Sequence, residues 1–229
     1  MLVCVAGVAV FGFSHIGRAG HAASAPPSRE LYRLVADGSG RPGTRYLGDG
    51  VRRAGLTFAP GTADGDRQVV LAAVAAARPE AARLIGLVDG LVDVSVGPVG
   101  AGAVGLTHTE PGGRFAVRLD LGAVSRSYGQ RGVTALVLHE LGHVVDRALV
   151  PAATAATLDA GIPRGWGCDE GVTGTCAPTA ERFAESFWKW ATGDIGIGMW
   201  LGYKVPPPGP SLDAWGAPLA ALAAGGGRS

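Results

Sequence analysis

Residues 137–146, VLHELGHVVD, place two histidines, a glutamate and an aspartate in an otherwise apolar run. His139 and His143 are four apart. On a helix they lie on one face, a turn from each other, and their ring nitrogens can converge on one metal ion. Glu140 points roughly 100° round the helix from His139. It need not ligate, but it can reach a water held by the metal. A metal that acidifies water beside a carboxylate that takes the proton is the chemistry of hydrolysis.

The His-Glu-x-x-His spacing points to zinc (Zn2+), and a hydrolytic zinc needs a third protein ligand and one open position. Residues 179–190, TAERFAESFWKW, offer that ligand. Glu181 and Glu185 are four apart and share a helix face, with Phe183, Phe187 and Trp190 as an apolar stripe beside them. Glu181 is the first choice as ligand. Glu185 is placed to hold the outer N–H of a ligating histidine. Asp146 follows His143 by three. One straight helix does not easily wrap three ligands round a tetrahedral ion, so Asp146 reads as a supporting or helix-packing carboxylate, with third ligand as the alternative. Gly142 costs its helix about 1 kcal/mol relative to alanine, which a close crossing by another segment would explain.

The elements that must position these groups follow from periodicity. Residues 66–87 read as helical with a fresh start at Pro79. Val88–Val96, Ala103–His108 and Arg114–Leu121 read as strands. In the last, Phe115, Val117, Leu119 and Leu121 alternate with Arg114, Ala116, Arg118 and Asp120. Residues 110–113, EPGG, make a turn between the second and third strands, and an antiparallel meander is the simplest arrangement. The histidine helix runs from about Gly132 to Leu149 and stops before Pro151. After a long connection over 151–177, a second helix is expected, capped by Thr179 and ended by Gly193. A last helix covers about Ser211–Ala223. The fold class is therefore α+β.

Composition bounds the rest. A chain of 229 residues suits one domain with a short processed segment. A net charge of +1 gives no basic field for nucleic acid. The apolar run Leu2–Phe13 is too short for a comfortable membrane span. With Ala23-Ser24-Ala25 and Pro26-Pro27 behind it, it reads as a signal peptide over residues 1–25 or, alternatively, an N-terminal anchor. Residues 26–65 are loop-rich and could be a pro-segment. The main domain is assigned to 66–229, as a secreted monomer with no membrane span in the mature chain. Cys168 and Cys176 would pair as a disulfide in an oxidising compartment.

HELGHVVD followed by ERFAESF resembles the catalytic domain of anthrax lethal factor and related peptidases, which are gluzincins whose third ligand is a glutamate on a later helix. The resemblance implies a zincin-like fold with a small antiparallel sheet, an active-site helix and a later glutamate-bearing helix. It implies zinc on His139, His143 and Glu181, with Glu140 as general base and a peptide or protein as substrate. It also implies an extended substrate bound along an exposed edge strand. Those enzymes carry a tyrosine shortly before the ligand glutamate, where it stabilises the oxyanion. Residues 171–180, GVTGTCAPTA, hold none. Tyr203, Tyr128 and His108 are the candidates from elsewhere, with a backbone donor or an arginine equally open. Three other readings arise, of which an intramembrane protease, suggested by the apolar motif helix, has no multi-span hydropathy pattern behind it. Another is a non-catalytic binding domain that keeps a metal for structure, against which the adjacent Glu140 argues. The third is a metal hydrolase with Cys168 or Cys176 as ligand.

Overall fold

The structure, a computed structural model, describes residues 56–100, 102–164 and 177–225. The expected signal segment and the Cys168–Cys176 pair lie outside the described residues.

Four short strands form one sheet: β1 (Thr57–Phe58), β2 (Val92–Val96), β3 (Gly105–Thr109) and β4 (Phe115–Leu119). Their order is β1-β2-β4-β3. β4 runs parallel to β2, with Val92 opposite Phe115, and antiparallel to β3, with Gly105 opposite Leu119. The expected antiparallel meander is thus corrected to a mixed sheet. The turn at 110–113 does close a β3–β4 hairpin. Residues 97–104, however, carry β3 to the far edge, and the returning β4 fills the place between. Alternation identifies strands but not their neighbours. β1 lies within the segment 26–65 and pairs in parallel with β2, so this part of that segment belongs to the sheet.

One face of the sheet is buried, through Val92, Val94, Phe115, Val117 and Leu119. The other carries half-buried or exposed residues such as Arg118, as expected of a sheet covered by helices on one side. Ahead of β2 come α1 (Asp64–Ala75) and α2 (Pro79–Val88). Pro79 opens α2, where its missing N–H breaks no helical hydrogen bond.

After β4 the chain turns directly into α3 (Leu121–Leu149), because the Asp120 side chain accepts from the Ala123 N–H at 2.8 Å. The helix therefore begins eleven residues before the expected start. It is interrupted at Gly129, whose φ of 61° lies outside helical space. α4 (Ala152–Ala160) occupies part of the stretch read as a connection. α5 (Thr179–Thr192) is preceded by Pro178 and makes no side-chain cap, so the expected Thr179 cap is not formed. Gly193, at φ 73°, ends it as expected. α6 (Leu212–Gly225) completes the described chain.

The arrangement explains why 132–145, apart from the site residues, is almost wholly apolar. α3 packs on β3 and β4 on one side and on α5 on the other, with α1 and α2 also against it, and a helix buried all round is hydrophobic all round. Gly142 marks the α3–α5 crossing: a Cβ there would stand 3.0 Å from the Phe187 ring. Among the described residues no helix is long and apolar enough to cross a membrane.

Candidate metal centre

α3 and α5 bring together the residues selected by spacing. His139 and His143 sit one turn apart with ring centroids at 4.9 Å, edge to face. Glu181, in the first turn of α5, inserts between them. Its Oε2 is 3.3 Å from His139 Nε2 and its Oε1 is 3.4 Å from His143 Nε2. Both histidines are buried. Among the described residues, His139, His143 and Glu181 form the group able to hold a metal, with ligand atoms all within 4.8 Å of one another.

The donor set fits a small tetrahedral cation. Glu181 turns Oε2 to His139 and Oε1 to His143, so the three side chains converge on one space, and two imidazoles with a carboxylate are the donor set of a zinc site. Charge agrees. Glu140, Glu181 and Glu185 bring three carboxylates into the site, Lys189 one ammonium. This excess of negative charge favours a cation between the three side chains. Burial works against protonating His139, but the carboxylates of Glu181 and Glu185 outweigh it and raise its pKa to about 10. Burial would likewise raise the Glu181 carboxyl, yet its contacts with both histidines hold it well below the usual carboxylate range. The carboxylates thus favour positive charge at His139. Its ligand set is a zincin-like triad, two histidines from one helix and a glutamate from a later one, and this is the arrangement of a metal-dependent hydrolase.

Supporting contacts fix the triad. Glu185 Oε2 lies 3.2 Å from His139 Nδ1, leaving Nε2 to face Glu181. This is the carboxylate–histidine pairing that orients ligating imidazoles. Burial opposes the Glu185 charge, but His139 and Lys189 lower its pKa. Glu140 points toward the sheet. Its Oε2 accepts from Thr107 Oγ1 at 2.7 Å, and the same hydroxyl lies 3.2 Å from the Glu140 backbone carbonyl.

β3 is an outer strand of the sheet, and it flanks α3. Val104 accepts from Asp120, and Glu110 donates to Arg114. By antiparallel alternation, Leu106 and His108 then bond toward β4, while the backbone groups of Gly105, Thr107 and Thr109 face the free edge. The Thr107 carbonyl accepts there from Arg147 Nη1 at 3.3 Å.

The remaining candidates are dispersed. Asp146 is half-buried on α3; burial raises its pKa, and the charges of His143 and Arg147 act against that rise. The Tyr128 hydroxyl donates to the Trp200 carbonyl at 3.2 Å. His108 is exposed on β3, its Nε2 3.7 Å from Glu110. Tyr203 is partly buried on the segment after α5; burial and the charge of Glu181 both raise its pKa. Of the three oxyanion candidates, Tyr203 is the one that feels the charge of Glu181.

Sequence reasoning missed Gly105, Thr107 and Lys189. The first two meet Glu140 across more than 30 residues, and nothing local announces them. Lys189 did leave a signal: it is four beyond Glu185 on the same helix, in a chain whose basic residues are otherwise arginine except Lys204.

Compared with family models, curated proteins and solved structures, the chain matches none. The likeness to lethal factor-like peptidases rests on the motif residues, and these establish the zincin-like ligand set rather than that family.

Proposed function

We propose that the chain is a secreted zinc-dependent peptidase, acting as an endopeptidase on a peptide or protein substrate. The observation that carries this is the spacing of Glu181 from both histidine Nε2 atoms, at 3.3 and 3.4 Å. His139, His143 and Glu181 would hold the ion. Bound zinc supplies Lewis acidity, activating water and polarising a carbonyl. Glu140 accepts the proton from the attacking water and returns it to the leaving amine, a role suited by its placement beside His139 and its anchoring on Thr107. Tyr203 is the favoured donor to the oxyanion. Its hydroxyl belongs to a segment that follows the ligand glutamate, rather than the one that precedes it. Asp146 supports the His143 side of the helix. The outer edge of β3 suits an extended substrate added as a further strand, with main-chain hydrogen bonds to Gly105, the Thr107 N–H and Thr109. The signal expected over 1–25 and the disulfide expected between Cys168 and Cys176 would accord with action outside the cytoplasm.

The test is metal content by elemental mass spectrometry of residues 26–229, wild type beside Glu181→Ala. Near-stoichiometric zinc that falls in the variant is expected. Equal zinc in both would remove Glu181 from the ligand set, and a folded wild type without transition metal would remove the enzyme reading.

A further inference from the structure

Lys189 is the one lysine or arginine that is buried among the described residues, at 2% exposure. On an amphipathic helix a glutamate–lysine pair at this spacing is ordinarily a solvated surface pair. Here both partners are sealed. The ammonium lies 3.2 Å from Glu185 Oε1 and donates to the Val205 carbonyl at 2.6 Å. The Trp188 ring flanks it, with its centroid 5.5 Å from the ammonium nitrogen. The segment after α5 closes over its stem: a Cβ at Gly196 would stand 2.7 Å from Lys189 Cε. Sealing a charge in this way is expensive, and an apolar residue of similar volume often serves stability as well or better. Stability alone is therefore a poor account of Lys189.

Its contacts run in one line. Glu185 turns Oε2 to His139 Nδ1 and Oε1 to Lys189, and Lys189 in turn grips the backbone at Val205. The Val205 N–H donates to the Tyr203 carbonyl at 2.9 Å. Burial opposes the Glu185 charge, and His139, Lys189 and a hydrogen bond from the Trp188 side chain favour it; at Oε1 the ion-pair partner is Lys189. The ammonium thus holds one oxygen of the carboxylate whose other oxygen aims His139.

We propose that Lys189 is a positioning residue of the metal centre, locking Glu185 so that His139 Nε2 faces the ion and tethering the Tyr203 segment to the same carboxylate. This rests on the metal-centre reading above. It adds a link that the two motifs do not contain. A lysine that merely anchored the segment to α5 would leave zinc ligation untouched.

The experiment uses the chain from residue 26, as wild type, Lys189→Met, Lys189→Arg, Glu185→Gln and the Lys189→Met/Glu185→Gln double variant. Circular dichroism establishes folding. Zinc affinity is read by competition with a chromophoric chelator, and ligand geometry by the visible absorption of the Co2+-substituted protein. Loss of an outer partner of a metal-ligating histidine typically costs 10–100-fold in affinity, so about tenfold weaker zinc binding and a changed Co2+ spectrum are expected for folded Lys189→Met. Lys189→Arg, which keeps the charge, should recover part of both. The double variant should bind zinc no more weakly than Glu185→Gln alone, because Lys189 acts through Glu185. If the single Lys189→Met protein does not fold, Lys189→Gln, which removes the charge but keeps a hydrogen-bond donor to the Val205 carbonyl, takes its place and is read against the same two outcomes. Unchanged affinity and spectrum in folded Lys189→Met, or a double variant several-fold weaker than Glu185→Gln, would overturn the inference while leaving the metal centre standing. Absence of zinc from the folded wild type would overturn the metal centre itself.

Discussion

Gly105 on the edge strand and Glu140 on the motif helix are in such close apposition that a side chain at 105 would occupy the carboxylate's place. A Cβ at that position would lie 2.6 Å from Glu140 Cδ and 2.8 Å from Leu136 Cδ1. The glycine is there for space, not for an unusual backbone angle. Gly105→Val should therefore push Glu140 off Thr107 while leaving His139, His143 and Glu181 in place. Overpacking of this kind costs about 1–3 kcal/mol. The variant should bind zinc near-stoichiometrically and hydrolyse an unstructured protein such as casein at least about 100-fold more slowly, the scale of a lost general base. Undiminished hydrolysis would show that Glu140 does not need the position seen here.

Glu140→Gln tests the group itself. The amide keeps the shape and the hydrogen bond with Thr107 but cannot take a proton. Zinc content should equal wild type, and turnover should fall by about 10²–10⁴-fold. A Glu140→Gln enzyme with full activity would rule out the general-base role.

The motif helices were legible because their signals are local. His139, Glu140 and His143 share four residues of helix period, and Glu181 and Glu185 share another four, so periodicity alone placed them on faces. Phe183, Phe187 and Trp190 then told which side of α5 is buried. What periodicity could not supply was adjacency. Thr107 meets Glu140 through the pairing of β3 with β4 and the packing of that hairpin on α3, and the order β1-β2-β4-β3 is invisible in three alternating runs. The burial of Lys189 depends likewise on a segment without regular structure folding back over α5. The α3 start was missed because Asp120, which reads as the end of a strand, also caps the helix that follows.

Metal should be part of the fold's stability. The triad joins α3 to α5, which form the most extensive helix–helix contact of the described chain. A ligand that binds only the folded state at 100 times its dissociation constant adds about 2.7 kcal/mol, and each 1 kcal/mol is worth about 2–4 °C at this size. Thermal melts with a chelator and with excess zinc should differ by about 5–10 °C. The same pair of melts on Glu181→Ala should nearly coincide. Coincident wild-type melts would mean that the folded and unfolded chains bind zinc equally or not at all.

The segment carrying Tyr203 is held at its start by Arg131 as well as at its end by Lys189. Arg131 Nε and Nη2 bond Asp194 at 2.6 and 2.8 Å, and Nη1 donates to the Ile197 carbonyl at 2.9 Å. The Asp194 pKa is lowered, chiefly by Arg131, with burial opposing and the Gly196 N–H and the Lys189 charge assisting. A depressed folded-state pKa gives stability that is present above the ordinary carboxylate value and is lost as pH falls through the folded value. The pair is partly solvated, so its worth is about 1 kcal/mol or less. Urea unfolding should show Asp194→Asn less stable than wild type by that amount at pH 7. The gap should close as the pH is taken from about 4 downward, where Asp194 in wild type gains its proton. A gap of the same size at pH 7 and below pH 3 would assign the effect to packing of the segment rather than to the charge on Asp194.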